Sequence, residues 1–503
     1  MTELLAREGP ETASPSEAGI PLLRRHAHVL AVAALLVGAF LLRLPGITTP
    51  SIEQRETEGA LLAREWYLGS GSGLPAWKQR VLHDLRQSVK PIEPPILDYA
   101  TSLEWRLTGE NFWFPRLLSS FFWVLGGLFL YLIAVRLTTR GGALVALALY
   151  LTWPYAVWLS RHFMPDALMI CSLLAGSLAV IRYWERPSRG RFVAAVAVAC
   201  LATAIKPGVA FLFLLALFVA LAVYQRQVRA SLTSGRLPLF VLIVPAAALA
   251  YYVYGTYLSD FIWSGADKER LTPNLVAHAD FWQGWWNMVS YLLRFPQPQL
   301  WLPLVPIAVG LVGLFLAKGM ARAVLVGLTI GYLAFALAFA NYTDTHPYYS
   351  LPLIPILALS IGVVAGTLFR TLGSVGRGAL VAVVVIAVAV AVDKSHAALT
   401  EKQTAQTIAD YRKLGEITGH TSRAIIVSSD LRTPAMYWGW MVGAAWSLGD
   451  NPRPPDPSAY DYLVVEGLDE FDSSSNAQAF ARKLPVVART SRYAVFDLRG
   501  LHG

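Results

Sequence analysis

The sequence contains few charged residues. Asp, Glu, Lys and Arg make up 15% of its 503 residues, and hydrophobic residues make up 55%. A soluble domain carries about a quarter of charged residues. The apolar residues are also clustered into runs of about 20, the length that crosses the hydrocarbon core of a bilayer. Composition and clustering therefore exclude an ordinary soluble domain and predict an integral membrane protein.

Cysteine is also scarce. Cys171 and Cys200 both lie inside apolar runs, with no His or second Cys close by in the sequence. This setting favours packed, reduced thiols over a disulfide, a metal site or a catalytic role. The chain also lacks a phosphate-binding glycine loop and any internal repeat of about 20–50 residues. P-loop and repeat architectures are therefore excluded.

What the chain has in abundance is apolar spans, about eleven in number. We predict transmembrane helices at 28–45, 112–135, 141–158, 164–184, 192–205, 207–224, 238–256, 301–317, 323–340, 348–369 and 378–393. The fifth and sixth would form one overlong helix if Lys206-Pro207-Gly208 did not lie between them. Proline breaks a helix and lysine is unfavourable at mid-membrane, so we expect two helices with Lys206 at their tip.

Lys and Arg are concentrated in alternate loops, which predicts the orientation. Cytoplasmic loops carry the excess of positive residues, and Arg24 and Arg25 precede the first span. Topology thus accounts for most of the net charge of +9, and no nucleic acid is predicted as a partner. The predicted divisions are a cytoplasmic tail at 1–27, a membrane domain at 28–393 with its first outer loop at 46–111, and an extracytoplasmic domain at 394–503.

Two parts of the predicted outer face have regular patterns of their own. In the first outer loop, Glu56–Leu68 and Pro95–Leu107 have apolar residues at helical spacing, which predicts two amphipathic helices. The C-terminal domain alternates helix and strand patterns, which predicts a small α/β fold. Its predicted strands are Ala424–Ser429, Tyr462–Val465, Val486–Thr490 and Tyr493–Leu498, and its predicted helices are Leu399–Leu414, Pro434–Val442 and Asn476–Arg482.

Acidic residues at the outer face are the first candidates for chemistry. Glu53, Glu56 and Glu58 follow the first span, and Asp166 stands at the mouth of the fourth. A carboxylate there can accept a proton from a hydroxyl group or hold a divalent cation. The loop glutamates could instead only solvate the loop, and Asp166 could cap its helix. The sequence establishes no cofactor, and a metal site stays open.

Basic and aromatic residues on the outer side are the second candidates. Positive charge on this side opposes the orientation rule, and binding a phosphate would explain it. Contacts with lipid headgroups or with the loop glutamates would explain it as well. The residues concerned are Arg55, Lys90, Arg116, Arg161 and Lys206, together with His346 and Tyr348 in the run Thr345 to Pro355.

The order of four motifs resembles a known family over about residues 40–370. They are Arg43-Leu44-Pro45-Gly46 with Ala60 and Ala63-Arg64-Glu65; Glu93-Pro94-Pro95-Ile96 with Phe114-Pro115-Arg116-Leu117; Ser160-Arg161 with Pro165-Asp166; and His346 to Pro355. Lys206-Pro207-Gly208 matches the family's lysine at a helix-pair tip. The chain resembles the GT-C superfamily of polyprenyl-phosphate-sugar glycosyltransferases, in the bacterial branch of the protein O-mannosyltransferases and aminoarabinose transferases (families 39 and 83).

The resemblance implies an enzyme of the bacterial inner membrane with its active site outside the cytoplasm. Such an enzyme moves a sugar from a polyprenyl-phosphate carrier to an envelope lipid, glycan or protein, with inversion at the sugar carbon. The resemblance implies Glu56, Glu53 and Asp166 as the catalytic carboxylates. Lys206, Arg116, Arg161, Lys90, His346 and Tyr348 are the implied phosphate-binding residues. The partners are the lipid-linked sugar, the bilayer and the acceptor.

Two positions depart from the family pattern. Where the family usually has Asp-Glu at the start of the loop helix, this chain has Arg55-Glu56. Where the family often has Lys before Pro-Pro, this chain has Glu93. Either Glu56 or Glu53 would then serve as base. A transporter or lipid flippase, and a catalytically inactive member of the family, are the alternative interpretations.

Overall fold

The computed structural model describes residues 19–91, 93–206, 208–259, 271–295, 303–400, 405–421, 423–427, 432–448, 453–466 and 468–501. Within these residues a helix occupies each of the eleven predicted spans. The start of the span predicted at 301–317 and Pro207 lie outside the described residues. The helices at the spans are α1 (Gly19–Leu42), α5 (Trp113–Leu137), α6 (Arg140–Thr152) with α7 (Pro154–Leu159), α8 (Asp166–Glu185), α9 (Arg189–Ile205), α10 (Val209–Tyr224), α12 (Arg236–Val253), α14 (Leu304–Leu316), α15 (Gly319–Ala338), α17 (Leu353–Thr371) and α18 (Ser374–Thr400).

Shorter helices connect these elements. They are α2 (Gln54–Leu68), α3 (Ala76–Ser88) and α4 (Ile96–Thr108) before α5, and α11 (Val228–Thr233), α13 (Ala279–Arg294) and α16 (Ala340–Thr343) further along. A π-helix follows α12 at Tyr254–Leu258, and 3₁₀ turns occupy Pro273–Ala277 and Pro347–Ser350.

Length and composition support a membrane protein with several crossings. Six helices in the described part of the chain are long and apolar enough to cross a membrane, and four apolar helices are shorter. The short ones are Ala27–Leu42, Arg140–Thr152, Val209–Tyr224 and Leu304–Leu316. The predicted class of fold is therefore confirmed, and the number and direction of the crossings stay predictions.

The helix break around Lys206 is confirmed. Helix α9 ends at Ile205 and α10 begins at Val209. Between them Gly208 has φ +88°, a left-handed conformation that a residue with a side chain rarely adopts. An added Cβ would also lie 2.6 Å from the ring of Phe339. The chain therefore reverses tightly, and Lys206 stands at the tip of the helix pair.

The first outer loop contains three helices, where the sequence predicted two. Helix α3 was missed because its composition is polar, although Val81, Leu82 and Leu85 share one buried face. Helix α2 is more deeply packed than an amphipathic surface helix, since a run of its residues from Glu56 to Arg64 is largely buried. It packs against α4 and the C-terminal domain, which fixes the positions of its buried side chains.

The C-terminal domain is a five-stranded mixed sheet with the order β2-β1-β3-β5-β4. Its strands are β1 (Ala424–Val427), β2 (Gly443–Trp446), β3 (Tyr462–Glu466), β4 (Val486–Arg489) and β5 (Tyr493–Asp497). β1 pairs in parallel with β2 and β3, and β5 pairs antiparallel with β3 and β4. Its helices are α19 (Ala405–Ile417), α20 (Thr433–Gly439), α21 (Leu468–Ser473) and α22 (Ser475–Ala481), with 3₁₀ turns at Pro457–Ala459 and Arg499–Leu501. The four predicted strands are present, although residues 428–429 of the first, like residues 401–404 of the helix predicted at Leu399–Leu414, lie outside the described residues. β2 was missed, because the helix predicted to reach Val442 ends at Gly439.

The two faces of this sheet belong to two different cores. Ile426, Val464 and Val495 point to a core that is continuous with the membrane domain. Their neighbours Ile425 and Val465 point to a separate small core. This alternation follows from the two-residue period of a strand. The sheet is thus fastened to the helical domain through one face.

Helix α20 makes that attachment directly above α2. The hydroxyl groups of Thr433 and Thr57 are 2.9 Å apart, and Trp438 Nε1 donates to the carbonyl of Ser51 at 2.7 Å. Arg64 donates to the carbonyl of Tyr437 at 2.8 Å. The C-terminal domain therefore holds in place the helix that carries Glu56, one of the predicted catalytic residues.

Candidate active site

Lys206 is the centre of the candidate site. Its side chain is 3% exposed, and Nζ donates to Asp166 Oδ1 at 2.8 Å. Nζ also lies 3.7 Å from Glu93 Oε1. The rings of Tyr348 and Tyr349 approach the same ammonium group, with their centroids 5.1 and 4.6 Å away. A buried cation is thus held by two carboxylates and two aromatic faces, which three segments of the chain contribute.

Asp166 keeps one oxygen without a partner. Oδ2 is buried and accepts no hydrogen bond from the described residues, although Oδ1 is paired with Lys206. A buried acceptor of this kind is unfavourable unless something binds it. Asp166 is also the first residue of α8, in agreement with its predicted position at the start of the fourth span. Its side chain is therefore fixed both by the ion pair with Lys206 and by its place at the start of the helix.

Glu93 joins Lys206 to a second cation. Its Oε2 lies 3.3 Å from Arg55 Nη2, and Arg55 Nη1 in turn donates to Glu58 Oε2 at 2.7 Å. The two oxygens of one carboxylate thus lie between a lysine and an arginine. Two oxygens of a phosphate group could take the same place, because both groups present oxygen acceptors to these cations.

A small cleft with a volume of about 40 Å³ opens beside this chain of charges. Its lining combines α2, the turn before α4, the first turn of α4 and the segment before α8. The residues are Arg55, Glu58, Gly59, Leu62, Pro91, Glu93, Pro94, Asp98, Phe163, Met164 and Pro165. Burial, with further repulsion from Glu58 and Glu93, raises the pKa of Asp98 to about 7. The cleft therefore contains a carboxyl group that changes charge near neutral pH.

Glu56 belongs to a different, fully paired group. Arg116 donates Nε to Oε1 at 2.9 Å and Nη2 to Oε2 at 2.5 Å, and the backbone N–H of Phe163 donates to Oε1 at 2.9 Å. Burial alone would raise the pKa of Glu56, but the charge and hydrogen bonds of Arg116 hold it well below its usual range. The remaining guanidinium nitrogen of Arg116 donates to the carbonyls of Ile47 and Thr49. This pair fastens α2 to α5.

Arg161 is engaged with backbone oxygens. It donates to the carbonyls of Pro45 and Leu399. Burial, assisted by the charge of Arg116, lowers the pKa of Arg161 to about 10. These contacts join the ends of α1 and α18, so Arg161, like Arg116, serves the scaffold in this structure.

The other predicted residues are Glu53, His346 and Lys90, which lie around this site. Glu53 precedes α2 and acts electrostatically, as Asp166 does, on the hydroxyl of Tyr155. His346 is exposed, and its ring centroid is 5.2 Å from that of Tyr348. Lys90 is partly buried in the turn before α4. The structure thus brings Asp166, Lys206 and Tyr348 together, and it places Glu56, Arg116 and Arg161 in the neighbouring scaffold group.

Sequence reasoning missed part of the site. Arg55 and Glu93 were noticed as departures from a family pattern, yet their mutual contact was not foreseen. Asp98 was not singled out at all. The sequence did contain a signal for Asp98, because it lies in the first turn of a predicted helix, five residues after Glu93. At that spacing the side chains of Glu93 and Asp98 can face one cleft. Among the described residues, no group of three or more His, Cys, Asp or Glu could hold a metal ion; metal dependence stays a prediction.

Comparison with known proteins supports the resemblance to membrane glycosyltransferases. Residues 92–251 match the family model of dolichyl-phosphate-mannose-protein mannosyltransferases. This segment includes Glu93, Asp98, Arg116, Asp166 and Lys206. Comparison with curated protein sequences gives no match.

Two solved structures show the fold over most of the chain. ArnT from Cupriavidus metallidurans, bound to undecaprenyl phosphate, is 17% identical with a TM-score of 0.57, covering 94% of this chain and 98% of its own. The oligosaccharyltransferase of Archaeoglobus fulgidus, in complex with zinc and sulfate, is 12% identical with a TM-score of 0.54, covering 86% of this chain and 68% of its own. The chain therefore has the GT-C fold. The resemblance predicted from its motifs is confirmed.

Proposed function

We propose that the protein is an inverting glycosyltransferase that takes a sugar from a polyprenyl-phosphate carrier and passes it to an acceptor of the cell envelope. The observation that carries this proposal is the buried Lys206, held between Asp166 and Glu93 beside an open cleft. A cation that is already held in position here can stabilise the negative charge of a departing lipid phosphate. The matched mannosyltransferase segment supports the same reaction class.

In this proposal the donor phosphate takes the place of the Glu93 carboxylate. Lys206 and Arg55 would then each donate to phosphate oxygens, and Glu93 would turn into the cleft. Asp166 keeps Lys206 in position, and its unpaired Oδ2 is available to accept a hydrogen bond from a sugar hydroxyl. Preorganised charge of this kind stabilises a leaving phosphate in the transition state. Arg116 and Arg161, predicted to bind phosphate, are assigned to the scaffold because their donors are engaged elsewhere.

An apolar groove supports a lipid carrier. It has a volume of about 340 Å³ between α13, α14, α15 and α17, and its lining includes Trp282, Trp286, Leu311 and Leu333. Tyr332, also in the lining, is 2.9 Å from the hydroxyl of Ser350, which belongs to the same 3₁₀ turn as Tyr348. One residue of the groove lining thus contacts the turn whose tyrosines face Lys206. An isoprenoid chain would lie here with its phosphate at the lysine.

We place this chemistry on the extracytoplasmic face of the bacterial inner membrane. The reason is the distribution of Lys and Arg among the predicted loops, which puts the first loop and the C-terminal domain outside. The two are in contact through α2 and α20. Such a contact requires that both lie on the same side of the membrane. An acceptor belonging to the envelope would approach from that side.

A binding experiment tests the proposal. Purified protein in lipid nanodiscs is titrated with undecaprenyl phosphate and, separately, with undecaprenol. We expect tight binding of the phosphorylated lipid and at least about 100-fold weaker binding of the alcohol, which corresponds to about 2.7 kcal/mol. Equal affinity for the two lipids would contradict a phosphate site. Transfer of labelled mannose from undecaprenyl phosphate mannose to an envelope extract then tests catalysis.

The groove can be tested separately with a variant that fills it. Leu311 lines the groove and is 49% exposed. We expect Leu311→Trp to weaken binding of undecaprenyl phosphate by about tenfold, because the added ring occupies the space of part of the chain. Leu242→Trp, at an exposed position on α12 outside the groove, is the matched control. Unchanged affinity in Leu311→Trp, or an equal loss in both variants, would place the chain elsewhere.

A further inference from the structure

The carboxylate groups around the cleft differ in how they are paired. Glu58 is held by Arg55, Glu93 by Arg55 and Lys206, and Asp166 by Lys206. Asp98 also lines the cleft, and it forms no ion pair with the described residues. A carboxylate already engaged by a cation is a poor proton acceptor, since the cation favours its ionised form. Before the donor phosphate displaces Glu93, Asp98 is therefore the one of these four carboxylates that no cation among the described residues engages. Glu58 and Asp166 keep their partners after the donor binds.

The backbone of α2 makes room for Asp98. Gly59 faces it, and a Cβ at Gly59 would lie 2.9 Å from Asp98 Oδ1 and 3.3 Å from the ring of Phe163. Leu62 on the next turn and Phe163 form apolar walls of the same cleft. The Asp98 carboxyl group is thus seated in a restricted, largely apolar position that opens toward the charged end of the cleft.

We propose, on the basis of the proposed glycosyltransferase function, that Asp98 is the general base that accepts the proton of the acceptor hydroxyl. The acceptor oxygen forms a bond to the anomeric carbon of the sugar, and the bond from that carbon to the phosphate oxygen breaks. The electron pair of the broken bond leaves with the polyprenyl phosphate, which Lys206 and Arg55 neutralise. The proton passes to the Asp98 carboxylate and then to solvent. The general base is thereby supplied from α4.

The electrostatic surroundings agree with this role. The groups acting on Asp98 are Glu58 and Arg55 from α2 and Glu93 from the turn before α4, and Arg432 of the C-terminal domain acts on Glu58. Burial and the two glutamates outweigh the arginine, so that the pKa of Asp98 rises to about 7. A general base is most effective when its pKa lies near the working pH. The ionised, active form is gained as pH rises, so kcat/KM should increase with pH up to about 7 and then level off.

Asp98→Asn tests the inference. Asparagine has the shape of the neutral acid, which this site already favours, so the variant should fold. We expect transfer of labelled mannose from undecaprenyl phosphate mannose to an envelope extract to fall by about 10²–10⁴-fold, with unchanged binding of undecaprenyl phosphate. Asp84→Asn, on α3 outside the cleft lining, should transfer at the wild-type rate.

Infrared spectroscopy provides a readout that does not depend on turnover. The wild-type difference spectrum should contain a protonated-carboxyl band that disappears as pH rises through about 7, and Asp98→Asn should lack it. An Asp98→Asn variant that keeps more than about a tenth of the activity, or a wild type without that band, would overturn this inference alone. A wild type that binds undecaprenyl phosphate no better than undecaprenol, or transfers no sugar, would overturn the proposed function and the inference with it.

Discussion

Glu56→Gln should lower the free energy of unfolding by about 3–5 kcal/mol, since breaking a buried ion pair leaves an uncompensated charge. The side chains of Glu56 and Arg116 are 1% and 5% exposed, and two hydrogen bonds of 2.9 and 2.5 Å join them. Removing the negative charge leaves the guanidinium group of Arg116 buried against backbone carbonyls alone. The loss should appear as a lower midpoint of thermal unfolding in a fixed detergent.

Glu65→Gln is the matched control on the same helix. Glu65 is 28% exposed and lies 3.4 Å from Arg86, which is also partly exposed. Exposed pairs contribute about 0–1 kcal/mol, so this variant should unfold close to the wild type. The double variant Glu56→Gln, Arg116→Met should recover most of the stability, because it removes both charges. A single Glu56→Gln variant that is as stable as the wild type yet inactive would instead support Glu56 as the base.

The stability supplied by Glu56 also depends on pH. Because its pKa is held low in the folded protein, its contribution is fully present above the unfolded pKa of about 4.3. It is lost as pH falls below that value toward the lower pKa of the folded state. Wild-type protein should therefore lose stability in acid, and the double variant without Glu56 and Arg116 should lose less over the same range.

The helices of the membrane domain could be predicted from sequence because bilayer thickness imposes a length on each apolar run. The break at Lys206-Pro207-Gly208 was equally accessible, since proline and a mid-membrane lysine both oppose one continuous helix. Helix α3 could not be predicted, because its composition is polar and only Val81, Leu82 and Leu85 are buried. Strand β2 was missed for a different reason. The helix before it ends at Gly439, and the next residue, Trp440, has a φ of 49°, a left-handed conformation.

Only part of the candidate site could be predicted from the sequence. Lys206 and Asp166 could be identified because each stands at the end of a span, where a charge has few ordinary explanations. Their direct pairing, and the bridge from Glu93 to Arg55, depend on which segments meet in three dimensions. Glu56 was predicted, together with Glu53, as a candidate base from its place in a motif. The motif placed it correctly on α2, but could not show that Arg116 would occupy both of its oxygens.

Lys206→Met should abolish measurable binding of undecaprenyl phosphate, with a loss of at least about 100-fold in affinity. The lysine is buried, and Tyr348 and Tyr349 approach it from the turn that Tyr332 of the groove contacts through Ser350. Methionine keeps the length and apolar character of the stem, so packing against Tyr348 and Tyr349 is preserved while the charge is removed. Binding is measured by titration in nanodiscs, as for the wild type.

The loss of Lys206 must be separated from damage to the fold, because Asp166 would remain buried without its partner. The double variant Asp166→Asn, Lys206→Met contains no unpaired charge and should unfold near the wild-type temperature, yet still fail to bind the lipid phosphate. Asp166→Asn alone should bind undecaprenyl phosphate at least as tightly as the wild type, since Lys206 keeps its positive charge and loses a competing acceptor. The opposite pattern, with binding kept in the double variant and lost in Asp166→Asn, would mean that Asp166 contacts the donor and that the phosphate is held by another cation.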